Sequence, residues 1–321
     1  MAGVTADPVR IVPRLVERVW GRTDLSGWYD APPRTDAAPL GEAWLTDVEC
    51  EVEGGGTFGG LIGRDRHWAL GDTAASAPIL VKLLFTAAAL SVQVHPTDAA
   101  ARSRGIAPSG KNEAWHILEA AADAAVWAGF EVTVTPAQLR AAVADGSILG
   151  LMRRYPVQAG DTVPVPAGTV HAIGAGLVLL EVQDPVQVTY RLYDYGRPRP
   201  LQVDEALAVA DLGPARGSEP VAGPAAQSLE GRLLTRAPRF ALEQHAIRDG
   251  LVVQPDGARS HILVPLTPGI LLDGRELPRG TAAFVPAHGR VARLGGGGQA
   301  SLAVVHAGPD RSPCILALPG K

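Results

Sequence analysis

Polar residues recur at intervals of two inside otherwise apolar runs along much of this chain, the pattern of half-buried β-strands rather than of helices. The run LVLLEVQ at 177–183 is apolar on nearly every position, and VTYRLYDY at 188–195 alternates, with Asp184-Pro185 as a turn signal between them. Residues two apart in a strand share a face, so Leu177, Leu179, Glu181 and Gln183 point one way, and Thr189, Arg191, Tyr193 and Tyr195 share a face on the next strand. PAGTVHAI at 166–173 is a turn followed by a short strand that carries His171. Upstream, PILVKLLFTAAALSVQVHP is apolar at first, with Lys82 inside it, and then alternates from Ser91 to His95 until Pro96 stops it. Gln93 and His95 therefore lie on one face. Lys111-Asn112-Glu113 leads into a further strand, AWHILEA.

Residues 1–60 read as short strands and turns, including IVPRLVERVW and GEAWLTDVECEVEGG, and 61–78 as a surface segment. Thr97-Asp98 is a plausible helix start, and Thr135-Pro136 places an N-cap before a helical stretch over 135–155 that Gly146 divides in two. The region 97–155 is accordingly expected as a small α-helical insertion beside an otherwise β body. DLGPARGSEPVAGPAAQS at 211–228 is the best linker by composition, which divides the chain into a catalytic unit, 1–228, and a second β-unit, 229–321. RGTAAFVPAHGRV in the second unit echoes AGDTVPVPAGTVHAI, but Val291 stands at the offset of His171. The second unit is therefore expected to lack the ligand and to serve structure.

The bulk numbers narrow the class. At 321 residues, 46% hydrophobic and 19% charged, the chain is an ordinary globular protein with a substantial core. A net charge of -4 leaves no footprint for nucleic acid or an anionic membrane. No apolar run reaches the ~20 residues that span a bilayer, and Asp7, Pro8 and Pro13 interrupt the place of a secretory signal, so a cytoplasmic protein is expected. Cys50 and Cys314 are too few for a disulfide framework and read as buried free thiols.

Gln93, His95, Glu113 and His171 are the candidate ligands: two imidazoles and a carboxylate suit zinc or another first-row divalent ion, with an amide as a weaker fourth group. His67, His116, His245, His261, His288 and His306 lack such company and read as surface or structural. Arg191 and Glu181 cannot be buried unpaired without a large cost; they pair with each other, or the guanidinium serves an anionic sugar or an enediolate oxygen. Phosphate-cradling glycine loops and GxSxG nucleophile motifs are absent: GGGG at 295–298 has neither context.

PAGTVHAIGAGLVLLEVQ…VTYRLYDYGR, LSVQVHP at 90–96, KNEAWHIL at 111–118 and GEAWL at 41–45 together resemble the type I mannose-6-phosphate isomerases, especially their short bacterial branch. APRFALEQHAI at 237–247 resembles the start of that family's C-terminal β-domain, so the likeness is nearly full length. The resemblance implies a mainly β fold of cupin-type jelly-roll barrels, one zinc ion on Gln93, His95, Glu113 and His171, and interconversion of mannose 6-phosphate and fructose 6-phosphate. It further implies that Arg191 is the catalytic arginine, that Lys111 and Glu181 join the chemistry, and that Lys82 and Ser91 line the substrate pocket. The base is left among Glu181, Lys111 and a metal-bound water. Two positions depart from the family: Arg22 follows Trp20-Gly21 where a second glycine is common, and Gly110 stands where longer relatives place a histidine. The competing functions are a metal-binding cupin that senses a sugar and an iron-dependent dioxygenase.

Overall fold

A computed structural model describes residues 7–29, 38–73, 77–222, 231–297 and 300–318. Four antiparallel sheets make two units, each a six-stranded sheet facing a five-stranded one. In the first unit the larger sheet runs Arg14–Arg22, Leu40–Trp44, Leu80–Phe85, Leu177–Gln183, Glu113–Ala120, Thr162–Val165, and the smaller runs Tyr190–Tyr193, Val92–Val94, His171–Ile173, Ala125–Phe130, Met152–Pro156. This is the mainly β, cupin-type architecture expected from the motifs.

Alternation explains why Leu177–Gln183 is buried at every position. Leu177 and Leu179 point into the first barrel with Trp115, Ile117, Val126, Val163 and Ile173. Val178, Leu180 and Val182 point outward, where they pack with Leu83 and Phe85 against Phe240, Leu242, Ile262 and Phe284 of the second unit. The two large sheets thus share a core, and a strand between two apolar layers has no solvent face to fill with polar residues.

The second unit pairs Val9–Ile11, Ala282–Val285, His261–Pro265, Ala300–Ala307, Phe240–Ile247 and Arg232–Arg236 in one sheet. Its first strand comes from the chain's start: Val9, Arg10 and Ile11 pair with Phe284, Ala283 and Ala282. Val9–Ile11 therefore belongs to the second unit although the strands that follow it in sequence belong to the first.

Several local readings are corrected. The helices expected within 97–155 are Asp98–Ser103 and Pro136–Asp145, but they are interleaved with the strands Glu113–Ala120, Ala125–Phe130 and Met152–Pro156, which belong to the barrel. Thr135 caps the second helix in a capping box and Gly146 ends it in the left-handed conformation, as those residue types dictate. Met152 and Tyr155 are buried with exposed Arg153 and Arg154 between them, so tertiary packing rather than helical periodicity sets that segment. Residues 58–70 form two short helices, not a surface segment, because Phe58, Leu61 and Ile62 sit in the shared core. Tyr195 lies beyond its expected strand at φ 54. The linker's described part is tied to the barrel through bridges Phe130–Pro214 and Thr162–Val221; 223–228 lie outside the described residues.

Candidate active site

Each inward-facing row of the first barrel turns from apolar to polar toward the same end. Leu177 and Leu179 lead to Glu181 and Gln183; Ile117 and Trp115 lead to Glu113; Leu84 leads to Lys82; Ile173 leads to His171. Register brings the polar ends together: Glu181 stands opposite Lys82, Gln183 opposite Glu113, His171 opposite Gln93, and Gln93 opposite Arg191. A cavity of about 320 Å³ opens there, lined by every residue expected at the site except His95 and His171.

Those two imidazoles are buried and complete a metal-capable group with Glu113, whose ligating atoms lie within 4.8 Å of one another. The Nδ1 of His95 lies 2.8 Å from the Val188 carbonyl, and that of His171 lies 2.8 Å from the Thr169 carbonyl. A carbonyl only accepts, so each Nδ1 carries the proton and each Nε2 keeps its lone pair. The Nε2 atoms are 3.2 Å and 3.6 Å from the Glu113 carboxylate, and Glu113 Oε2 has no hydrogen-bond partner. Two lone pairs and an anion converge in this buried site beside the Lys111 ammonium, which stands 3.5 Å from His95 Nε2, and the donor set fits a divalent ion. The Gln93 amide nitrogen borders the group, 3.3 Å from His171 Nε2.

Around this group the charges are paired. Lys111 Nζ is 2.6 Å from Glu113 Oε1 and Lys82 Nζ is 3.2 Å from Glu181 Oε2. Burial pushes the Glu113 carboxyl up, but the adjoining groups, the Lys111 ammonium first among them, outweigh it and hold the group well below its ordinary value. Glu181 goes the other way: burial, and then the nearby Glu113 charge, raise it. The expected alternative of an Arg191–Glu181 pair is not found. Arg191 donates instead to the Pro200 carbonyl at 2.9 Å and stands 4.0 Å from Asp194, while its buried Nε has no hydrogen-bond partner. Ser91 donates to the Gln93 carbonyl oxygen at 3.4 Å.

Arg18, Glu42, Trp44 and Arg199 also line the cavity and were missed from sequence. Glu42 accepts from Arg18 at 2.8 Å, and the Lys82 ammonium sits 4.8 Å from the Trp44 ring. The signal was present in GEAW, whose Glu42 and Trp44 share a face. Of the remaining histidines, His245, His261 and His306 are buried in the second unit, where His306 Nε2 lies 2.9 Å from Glu243 Oε1 and His261 Nε2 lies 2.6 Å from Ser312 Oγ. That barrel's polar end is filled by its own side chains.

Buried histidines make metal-free stability depend on pH. Burial lowers His171 to about 3 from 6.5, His116 to about 4 and His261 to about 3. Below pH 6.5 the unfolded chain takes up protons that these folded-state rings refuse, so stability falls with pH, by roughly 1.4 kcal/mol per pH unit per histidine once fully below 6.5. Urea unfolding of chelator-treated protein between pH 7 and 5 should show this decline; a flat profile would contradict neutral burial.

The chain has clear sequence relatives. Over 265 residues it is 31% identical to the mannose-6-phosphate isomerase of Streptococcus mutans, covering 78% of this chain and 82% of that protein. The chain belongs to the mannose-6-phosphate isomerase family. A second member, ManA of Bacillus subtilis, is 34% identical over 224 residues, 65% of this chain and 70% of the relative. No protein-family model matches the chain. Among solved structures, the mannose 6-phosphate isomerase of Bacillus subtilis superposes with a TM-score of 0.75 at 24% identity, over 93% of this chain and 99% of the other. A phosphomannose isomerase variant from Salmonella typhimurium gives 0.75 at 17%, over 94% and 100%. These two share the fold. Within the family frame, Gly110 is a steric necessity here. A Cβ on it would lie 2.5 Å from backbone atoms of Pro96, Thr97 and Asp98, so this chain has no room for a histidine at that position.

Proposed function

We propose that this chain catalyses the reversible interconversion of mannose 6-phosphate and fructose 6-phosphate by proton transfer through an enediolate, with a zinc ion held by His95, Glu113 and His171 and bordered by Gln93. The observation that carries this reading is the buried two-histidine, one-carboxylate group at the floor of a cationic cavity in a chain of this family. A bound divalent ion supplies Lewis-acid charge for the sugar oxygens.

The chain's own groups divide the remaining work. Arg191 is placed to donate to the oxygen on which negative charge develops. Lys111 and Glu181 are the groups able to exchange protons with the sugar: a proton leaves C2 of the aldose and one is returned to C1, while the O2 hydroxyl proton is given up and one is delivered to O1, which gives the ketose. Burial raises Glu181, which brings a carboxyl closer to the pH at which it can both accept and release a proton. Lys82 and Ser91 line the cavity, and the guanidinium groups of Arg18, Arg191 and Arg199 give it the positive character that a phosphorylated sugar needs. No helix among the described residues is long and apolar enough to cross a membrane. We place the enzyme in the cytoplasm, a setting that suits the unpaired, buried Cys50 and Cys314.

The test is formation of fructose 6-phosphate from mannose 6-phosphate by the metal-loaded protein. Oxygen uptake with ferrous iron, and no ketose formed, would favour the dioxygenase chemistry instead.

A further inference from the structure

Arg239 belongs to the second unit, where its carbonyl accepts from Gly308 N at 3.1 Å just before the central strand Phe240–Ile247. Its guanidinium, however, reaches into the first unit. Nη1 and Nη2 donate to the two carboxylate oxygens of Asp98 at 2.9 Å each, and Nη2 also donates to Gly110 O at 3.2 Å and to Asp184 Oδ2 at 2.7 Å. Each of these partners lies three residues from a site residue: Asp98 follows His95, Gly110 precedes Glu113, and Asp184 follows Glu181.

The connection continues inward. Asp184 Oδ2 accepts from both the backbone N and the side-chain amide of Asn112, at 2.9 Å and 2.8 Å, and Asn112 is the residue between Lys111 and Glu113. Asn112 Oδ1 in turn accepts from Ala167 N at 3.1 Å, in the turn that leads to His171. Lys111 N donates to Pro96 O and Gly168 N to His95 O. Three ligand-bearing segments are therefore knotted at Asn112 and closed from outside by one guanidinium. Asp184 is fully buried, and without Arg239 it would lose its guanidinium partner and keep only the Asn112 hydrogen bonds, while Asp98 would keep Gly110 N at 2.8 Å and Arg102 at 3.7 Å.

We propose that Arg239 is a positioning residue for the isomerase site, through which the second unit holds His95, Glu113 and His171 in metal-binding geometry. It touches neither the cavity's lining beside Glu113 nor the candidate ligands themselves. This gives the second unit, whose own barrel carries no such metal group among the described residues, a function in the chemistry of the first. The inference rests on the isomerase reading for its effect on turnover, but not for its effect on metal affinity.

The experiment uses full-length protein and measures zinc dissociation constants by chelator competition, unfolding temperature, kcat and KM. Arg239→Met should weaken zinc binding by about tenfold or more, as losses of outer hydrogen-bonding partners do, and lower kcat more than it changes KM. Because Arg239→Met leaves a buried charge, Arg239→Met with Asp184→Asn serves as a second variant that removes the brace and the charge together. It should melt close to the wild type and still bind zinc weakly. Arg239→Lys should recover part of the affinity. Arg279→Met is the control: Arg279 also crosses between units, to Glu119 at 2.9 Å, at the far end of the Glu113–Ala120 strand from the ligand, and should leave zinc affinity within about twofold. Wild-type zinc affinity in the double variant, or an equal loss in Arg279→Met, would overturn the proposal. A wild type without isomerase activity would instead overturn the functional reading, and the zinc measurements would still decide the role of Arg239.

Discussion

Replacing Arg191 by alanine is expected to lower kcat by about 100- to 1000-fold, the range for losing one donor to a developing oxyanion, with metal content unchanged and a small effect on KM. The expectation rests on where the side chain is held. Arg191 lies on Tyr190–Tyr193 opposite Gln93, lines the cavity, and is anchored by the Pro200 carbonyl rather than neutralised by Glu181. Burial, and then the neighbouring Arg199 charge, lower its proton affinity, and the Asp194 carboxylate acts against them. The Arg191 Nε is buried and faces the Asp194 carboxylate at 4.0 Å, an ion pair that helps to hold the side chain in place. Steady-state kinetics with zinc quantified on the same preparation checks the point. Near-wild-type turnover would remove Arg191 from the chemistry.

The second large effect is on the metal. His171→Ala is expected to weaken binding by more than about 100-fold, beyond the upper end of what outer partners contribute, so that the ion is lost on dialysis. His171 is fixed on three sides: its Nδ1 by the Thr169 carbonyl, its ring edge-on to Trp115 at 5.5 Å, and His95 at 4.8 Å. No neighbouring side chain among these can replace the lost nitrogen. Metal analysis after dialysis reads the result, and full occupancy would remove His171 from the ligand set.

Strand-borne residues of the site were legible because a strand exposes its chemistry in sequence. Gln93 with His95, and Glu181 within LVLLEVQ, announce a polar end to an apolar row, and a period of two says which side chains meet. Residues whose roles depend on another segment were not legible. Arg18 faces the cavity only because its strand pairs with Leu40–Trp44, beside Lys82. Phe58, Leu61 and Ile62 gave too short an apolar stripe to distinguish a buried helix from a surface turn, and the second unit that covers them lies over a hundred residues away in the chain. Met152–Pro156 followed a well-capped helix that Gly146 ends, and only the barrel's need for an edge strand makes the segment beyond it a strand rather than a second helix. Arg239 had no sequence signal: an arginine after Ala237-Pro238 reads as solvated until Asp98 and Asp184 are seen to converge on it.

The central claim is that sugar isomerisation runs at the His95–Glu113–His171 group. It is tested most directly by titrating chelator-stripped protein with zinc while following fructose 6-phosphate formation from mannose 6-phosphate. The account predicts no measurable conversion without metal and a rate that rises in proportion to bound zinc until one ion per chain is held. Full activity in the stripped protein, or one bound ion per chain with no conversion, would contradict it.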